Sequence, residues 1–256
     1  VFRNKHVHSH FSSDCILLFH EKVYQTTCPL AMIRINNLKK SYGSNEVLKG
    51  IDLAIDSGMC IGIVGENGAG KSTLFNCLTG IEQYSGEITS EVNPLKNHTG
   101  FLQTNPFFLN KITGREYLQL LCNARGIDQQ EFDSQNVFAL PLDQYASTYS
   151  TGMKKKLALL AILLQKNEFF ILDEPYNGVD YQSSILISEI VTRLKAANKA
   201  ILISSHIFAT LKETCDLIYV LKNGELSDVY TSKDFDTLEN EMKHYTIGTN
   251  LDHLTF

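Results

Sequence analysis

The sequence has little that would carry it into a membrane, onto nucleic acid or into an oxidising compartment. Its longest unbroken apolar run, Leu157–Leu164, falls far short of the roughly 20 residues that span a bilayer as a helix. Any membrane-spanning part is therefore expected on another chain. Basic charge is not in excess: Lys+Arg number 23 against 28 Asp+Glu, a net charge of -5, so the electrostatic footprint of a nucleic-acid binder is missing. The six cysteines, at 15, 28, 60, 77, 122 and 215, include no C-x-x-C pair. That scatter argues against a zinc site and suggests a reducing cytosol. Internal repeats and low-complexity segments are absent too. What remains is 256 residues of ordinary globular composition, suited to one large α/β domain with a helical subdomain.

What is present is most concentrated at Gly65-Glu66-Asn67-Gly68-Ala69-Gly70-Lys71-Ser72, which fits the phosphate-binding pattern G-x-x-x-x-G-K-[ST]. The apolar run Met59–Val64 before it reads as a buried strand, and Thr73–Leu78 after it reads as the first turns of a helix. A Gly-rich turn before a helix is the bland alternative, and the strand–loop–helix context disfavours it. Glycines let the backbone close around phosphates with its N–H groups pointing inward. The helix start adds a positive dipole end. Lys71 is expected on the β- and γ-phosphates of a nucleoside triphosphate, and the Ser72 hydroxyl on Mg²⁺. Thr73 completes the candidate set.

Phe169-Phe170-Ile171-Leu172-Asp173-Glu174 reads as a buried parallel strand with a charged carboxyl end, where ligand sites lie in open α/β sheets. Asp173 is expected to hold Mg²⁺ directly or through water. Glu174 stands where a general base can polarise the attacking water. The alternative is that both acids merely cap the following turn, which holds Pro175 and Gly178.

With these residues, the chain resembles the nucleotide-binding subunit of an ATP-binding cassette (ABC) transporter from about Met32 to Tyr230. Further motifs fall in the family's order. Tyr42, in Lys40-Ser41-Tyr42-Gly43, matches the aromatic that stacks on adenine. Gln103, in Phe101-Leu102-Gln103-Thr104, matches the glutamine that senses Mg²⁺ and water. Tyr149-Ser150-Thr151-Gly152-Met153 stands in place of the signature L-S-G-G-Q. Asp180, in Asn177-Gly178-Val179-Asp180, matches the D-loop aspartate. His206, after Ala200–Ser205, matches the switch histidine at the γ-phosphate. Taken alone, Tyr42 also reads as a strand aromatic, His206 as a surface residue and Gln103 as a loop polar residue.

The resemblance implies a P-loop NTPase fold: a RecA-like α/β core, an antiparallel β subdomain and an α-helical subdomain at about 104–163. It implies ATP and Mg²⁺ as cofactors, with Ser72, Gln103 and Asp173 at the metal. Glu174, His206, Gln103 and Asp180 are implied at the reacting phosphate. It implies a homodimer, or a heterodimer with a homologous subunit, in which Ser150 and Gly152 meet the nucleotide held by the other copy. A transmembrane permease on a separate chain would hold the assembly at the cytoplasmic face of the membrane, and no nucleic acid is expected. Thr113–Leu118 and Tyr149–Leu157 look like the ABC-2-type exporter group. The signature departs at Thr151 and Met153: a Cβ at 151 makes positive φ costly, which puts turnover in question. A soluble ATP-gated clamp and a weakly active regulatory subunit are the rival readings.

Several local readings complete the picture. Residues 1–31, with His6, His8, His10 and His20, read as an N-terminal extension, disordered or wrongly assigned to the coding sequence; metal binding is the lesser alternative. Ile33 and Ile35, and Ile51, Leu53 and Ile55, alternate as strands. Thr113-Gly114-Arg115-Glu116 fits a capping box. Met153, Leu157, Leu160, Ala161 and Leu164 form the inner stripe of a helix. Lys154-Lys155-Lys156 reads as a solvated face or as a positive rim near phosphate or a partner. Phe107-Phe108-Leu109 is either core filling or a docking surface for the permease. Val179–Ala197 reads as a helix with Ile185, Ile190, Val191 and Leu194 inward. Leu217–Leu226 reads as a hairpin, and 231–256 as a short tail.

Overall fold

The computed structural model describes residues 32–250, with side chains described to 243; the expectations for residues 1–31 lie outside the described residues. Among the described residues, nine strands form two sheets. β1 (Ile33–Tyr42), β2 (Asn45–Ile55) and β4 (Ser85–Ser90) make an antiparallel sheet in the order β2-β1-β4. β3 (Cys60–Val64), β5 (Thr99–Leu102), β6 (Phe169–Asp173), β7 (Ala200–Ser204), β8 (Leu217–Lys222) and β9 (Glu225–Thr231) make the second, in the order β5-β6-β7-β3-β8-β9. The first five are parallel, and β9 closes the edge as the second arm of an antiparallel hairpin.

β3, β6 and β7 are buried along their whole length and carry apolar side chains up to the polar last residues of β6 and β7, because both faces are covered, as parallel sheets require. Side chains alternate between two cores. Ile61, Ile63, Phe169, Ile171 and Leu202 pack with the antiparallel sheet and with α1 (Lys71–Leu78). Val64, Phe170, Leu172, Ile201 and Ile203 pack on the opposite side. That side is covered by α2 (Gly114–Asn123), α3 (Thr151–Leu164), α4 (Tyr181–Ala196), α5 (Phe208–Thr214) and α6 (Phe235–Asn250). The α/β core and the antiparallel subdomain are thus present as expected. No helix among the described residues is long and apolar enough to cross a membrane.

Local chemistry sets the helix boundaries. Thr113 caps α2: its Oγ1 accepts from the Glu116 N–H, and the Glu116 carboxylate accepts from the Thr113 N–H at 2.8 Å. This reciprocal pair satisfies two otherwise orphaned donors. Asp180 caps α4 by accepting from Ser183 N at 2.9 Å.

Four expectations need correction. In α4 the buried residues are Ser183, Ile187, Ser188 and Val191, and Ile190 and Leu194 pack on the core as expected, while Ile185 is exposed. A cap at Asp180 turns the 183/187/191 row inward, and position 185 falls on the far side of a 3.6-residue period. The segment after Tyr230 is not merely a tail: it forms α6, with Phe235 and Leu238 buried in the core. Thr151 is the first residue of α3 and does not take positive φ, so its Cβ meets no backbone penalty there. The three lysines do not share a solvated face, because Lys155 is buried.

Candidate functional site

Four parallel strands end at one edge, and each end carries a candidate residue. β3 leads into the P-loop, β5 into Gln103, β6 ends in Asp173 and β7 leads to His206. The order β5-β6-β7-β3 makes these ends neighbours although they lie far apart in the sequence.

The loop after β3 needs its glycines for space as well as conformation. A Cβ on Gly65 would lie 2.3 Å from the Leu221 carbonyl oxygen, and Gly70 sits at φ 109 with Leu48 only 2.9 Å from where its Cβ would be. α1 starts at Gly70 with no side-chain cap, so its first-turn N–H groups are offered to an anion. Lys71 Nζ donates to the carbonyls of Gly65 at 2.6 Å and Glu66 at 3.1 Å. Burial lowers the Lys71 pKa, against the opposing pull of Glu174 and Asp173. Uncapped donors plus a cation across the loop mouth fit a polyphosphate.

Asp173 is the hub. Its Oδ2 accepts from Ser72 Oγ at 3.0 Å and Thr104 Oγ1 at 2.7 Å, and its Oδ1 accepts from Ser204 Oγ at 2.6 Å. Ser72, Asp173 and Thr104 offer only oxygen donors, the set a hard divalent cation prefers. Among the described residues there is no cluster of His, Cys, Asp and Glu that could hold a metal by itself.

Glu174 follows in an unusual backbone state. Its φ is 53, a left-handed conformation that costs a non-glycine residue about 1–2 kcal/mol. Its N–H donates to Ser204, to Oγ at 3.1 Å and to the carbonyl at 3.2 Å. Its Oε2 accepts from the His206 N–H at 3.0 Å. His206 Nε2 lies 3.2 Å from Oε1 but outside hydrogen-bond geometry, so Oε1 stays buried without a hydrogen bond.

The other candidates are placed as follows. Tyr42 ends β1 and is exposed, with Lys40 Nζ 4.8 Å from its ring centroid and Lys40 paired to Glu82. Gln103 is exposed at the end of β5; its neighbour Thr104, missed in the sequence, is what touches Asp173. Ser150 caps α3 by accepting from Met153 N at 3.2 Å. A Cβ on Gly152 would fall 2.6 Å from the Gly178 carbonyl oxygen, so glycine lets α3 and the D-loop segment touch. Among the described residues, no hydrogen bond or ion pair joins Ser150 or Gly152 to residues 65–73. Asp180 spends its carboxylate on Ser183 and on Lys156 Nζ at 3.3 Å. The Ser183 backbone N–H first, then its hydroxyl, then Lys156, hold that carboxyl well below the usual range.

Ser204 is the other residue the sequence reading missed. Its signal was its place: the polar last residue of a buried strand, opposite Asp173 in the parallel register.

The chain is similar to known proteins in sequence and in fold. The family model described as ABC transporter matches residues 48–177. An uncharacterized ABC transporter ATP-binding protein of Bacillus subtilis (strain 168), YxlF, is 31% identical over 206 residues, covering 77% of this chain and 70% of the relative. The lantibiotic transport ATP-binding protein SrtF of Streptococcus pyogenes is 29% identical over 222 residues, covering 82% of this chain and 93% of the relative. A solved ATP-binding subunit of an ABC transporter superposes with a TM-score of 0.73 at 24% identity, over 86% of this chain and all of that one, a likeness of fold.

Proposed function

The chain belongs to the ABC transporter family as an ATP-binding subunit, and on that premise we propose that its strand-end site hydrolyses ATP to drive export through a separate membrane-spanning permease. The observation that carries the chemistry is the Ser72–Asp173 contact at 3.0 Å with Glu174 next in the chain. It joins the phosphate loop, a metal-holding acid and a candidate base within one cluster.

The mechanism follows from the side chains. Tyr42 offers a ring face to adenine. The loop N–H groups and Lys71 bind the phosphates, with Lys71 exchanging its carbonyl partners for phosphate oxygens. Ser72 and Asp173, with Gln103 and Thr104 at hand, would hold Mg²⁺, which supplies charge neutralisation on the phosphates when bound. Glu174, whose Oε1 lies beside His206 Nε2, accepts the proton of the attacking water. His206, held to Glu174 through its own N–H, presents its exposed ring to the γ-phosphate.

Ser150 caps α3 and Gly152 lies in its first turn, and in this reading they complete the site of a second copy or a homologue. Two ATP molecules then hold two subunits together, and hydrolysis releases them. The difference in affinity between closed and open states is what a permease can use. Phe107, 76% exposed, and Leu109 offer an apolar docking surface beside Gln103. Export is supported by the relative that serves lantibiotic transport. The subunit would sit at the cytoplasmic face of the membrane, held by that partner.

The test is Glu174→Gln. Loss of a general base lowers turnover by roughly 10²–10⁴-fold, read as phosphate release, with ATP binding retained. Turnover at the parent rate refutes the assignment. Affinity capture of the same variant with MgATP from detergent-solubilised native membranes should recover a polytopic membrane protein; recovery of ribosomes or DNA-bound factors instead refutes the transport reading.

A further inference from the structure

Lys155 is 1% exposed, and lysine is almost never buried so completely without a partner. It lies in α3 between two lysines that keep partial access to solvent. Its Nζ donates to the main-chain carbonyl of Glu174 at 2.7 Å. Burial lowers its pKa, while the nearby Glu174 and Asp173 carboxylates pull the other way. A cation this deep persists only if fixed acceptors and charges hold it.

The partner it holds is the strained one. Glu174 combines positive φ with a following proline, which itself restricts the preceding residue. Such a conformation persists only where its surroundings over-determine it. Ser204 holds the Glu174 N–H. The carbonyl accepts from Asn177 N at 3.2 Å within the next turn and from Lys155, which reaches it from a different element.

We propose that Lys155 is a positioning residue for the reaction: its buried ammonium fixes the Glu174 carbonyl and thereby aims the Glu174 carboxylate. This rests on the reading of Glu174 as the base. Without Lys155 the Glu174 carbonyl keeps only the local Asn177 N–H, so the strained residue is held less firmly and its carboxylate loses its fixed aim. Nucleotide binding, which Tyr42 and the loop after β3 carry in this reading, is expected to be retained.

The experiment compares Lys155→Met, which keeps an apolar arm as far as the ε position and loses the donor, with Lys155→Gln, which places a neutral donor at that same ε position. Glu174→Gln is the control, all in the full chain. Lys155→Met should lower kcat at least about tenfold, the scale of a misaimed catalytic group, with KM for ATP within about threefold of the parent. Lys155→Gln should fall between, roughly threefold below the parent. A parent-like kcat in Lys155→Met overturns the proposal, as does a kcat loss matched by an equal loss of ATP affinity, or a Lys155→Gln no better than Lys155→Met. If Lys155→Met does not fold, Lys155→Gln decides: reduced kcat at unchanged KM supports the role, and parent-like kcat overturns it. Parent-like turnover in Glu174→Gln refutes the base itself; an inactive Glu174→Gln beside a fully active Lys155→Met refutes only Lys155.

Discussion

Replacing Ser204 by alanine removes a hydroxyl that serves two neighbours, and the two losses are unequal. The Glu174 N–H loses a 3.1 Å bond to Ser204 Oγ but keeps the Ser204 carbonyl at 3.2 Å, which alanine retains. The damage falls on Asp173, whose Oδ1 loses a 2.6 Å bond at a buried position. A hydrogen bond to a charged group contributes about 1.5–3 kcal/mol. In a domain of this size each kcal/mol moves the melting point by about 2–4 °C. The drop for Ser204→Ala should therefore be ~3–12 °C, read by thermal unfolding without nucleotide. Thr104→Val is the graded control: it removes a 2.7 Å bond from Oδ2, which still accepts from Ser72, so its cost should be smaller. In an Asp173→Asn background the Ser204→Ala penalty should shrink to about 0.5–1.5 kcal/mol, the value of a neutral hydrogen bond. A melting point within about 1 °C of the parent, or an undiminished penalty in the Asp173→Asn background, would refute the charge-assisted bond as the cause.

Gly152→Ala sets two effects against each other. Alanine gains about 1 kcal/mol of helix propensity, but its Cβ would sit 2.6 Å from the Gly178 carbonyl oxygen, an overpacking cost of about 1–3 kcal/mol. Urea unfolding should show a net loss of up to about 2 kcal/mol; a gain near about 1 kcal/mol contradicts the α3–D-loop contact. Burial pushes the Cys77 thiol up to about 11, so near pH 8 only roughly a thousandth is thiolate. Maleimide labelling at about pH 8 followed by mass spectrometry should leave Cys77 unmodified in the folded protein and label it in urea; fast labelling while folded contradicts its burial.

The parts that were legible in the sequence share a cause: short-range chemistry decides them. Gly65–Ser72 is a local motif whose phosphate-binding pattern is complete within one stretch of chain. The Thr113 cap closes on Glu116 three residues away. The apolar runs 60–64, 169–172 and 200–203 need only be buried on both faces to become central strands. Long-range partners were not legible. Thr104 and Ser204 are small hydroxyls that mean nothing until strand order places them beside Asp173. The Lys154–Lys156 run looks solvated because a charge run gives no sign of which member faces inward; helical phase and the approach of Glu174 select Lys155. Ile185 and Ile187 are indistinguishable by type, and the Asp180 cap decides between them. α6 has a weak apolar pattern and takes its place from Phe235 and Leu238 finding the core.

The sequence by itself determined the class of ligand, the residues at each strand end and their order, because those depend on side-chain chemistry and on spacing along one stretch of chain. Tertiary structure alone decided how the ends meet: β6 and β7 stand between β5 and β3, so one carboxylate, Asp173, gathers hydroxyls from three other segments, and a buried lysine reaches the backbone of Glu174. Such convergence depends on strand order and packing across the sheet, which no local pattern along the chain encodes.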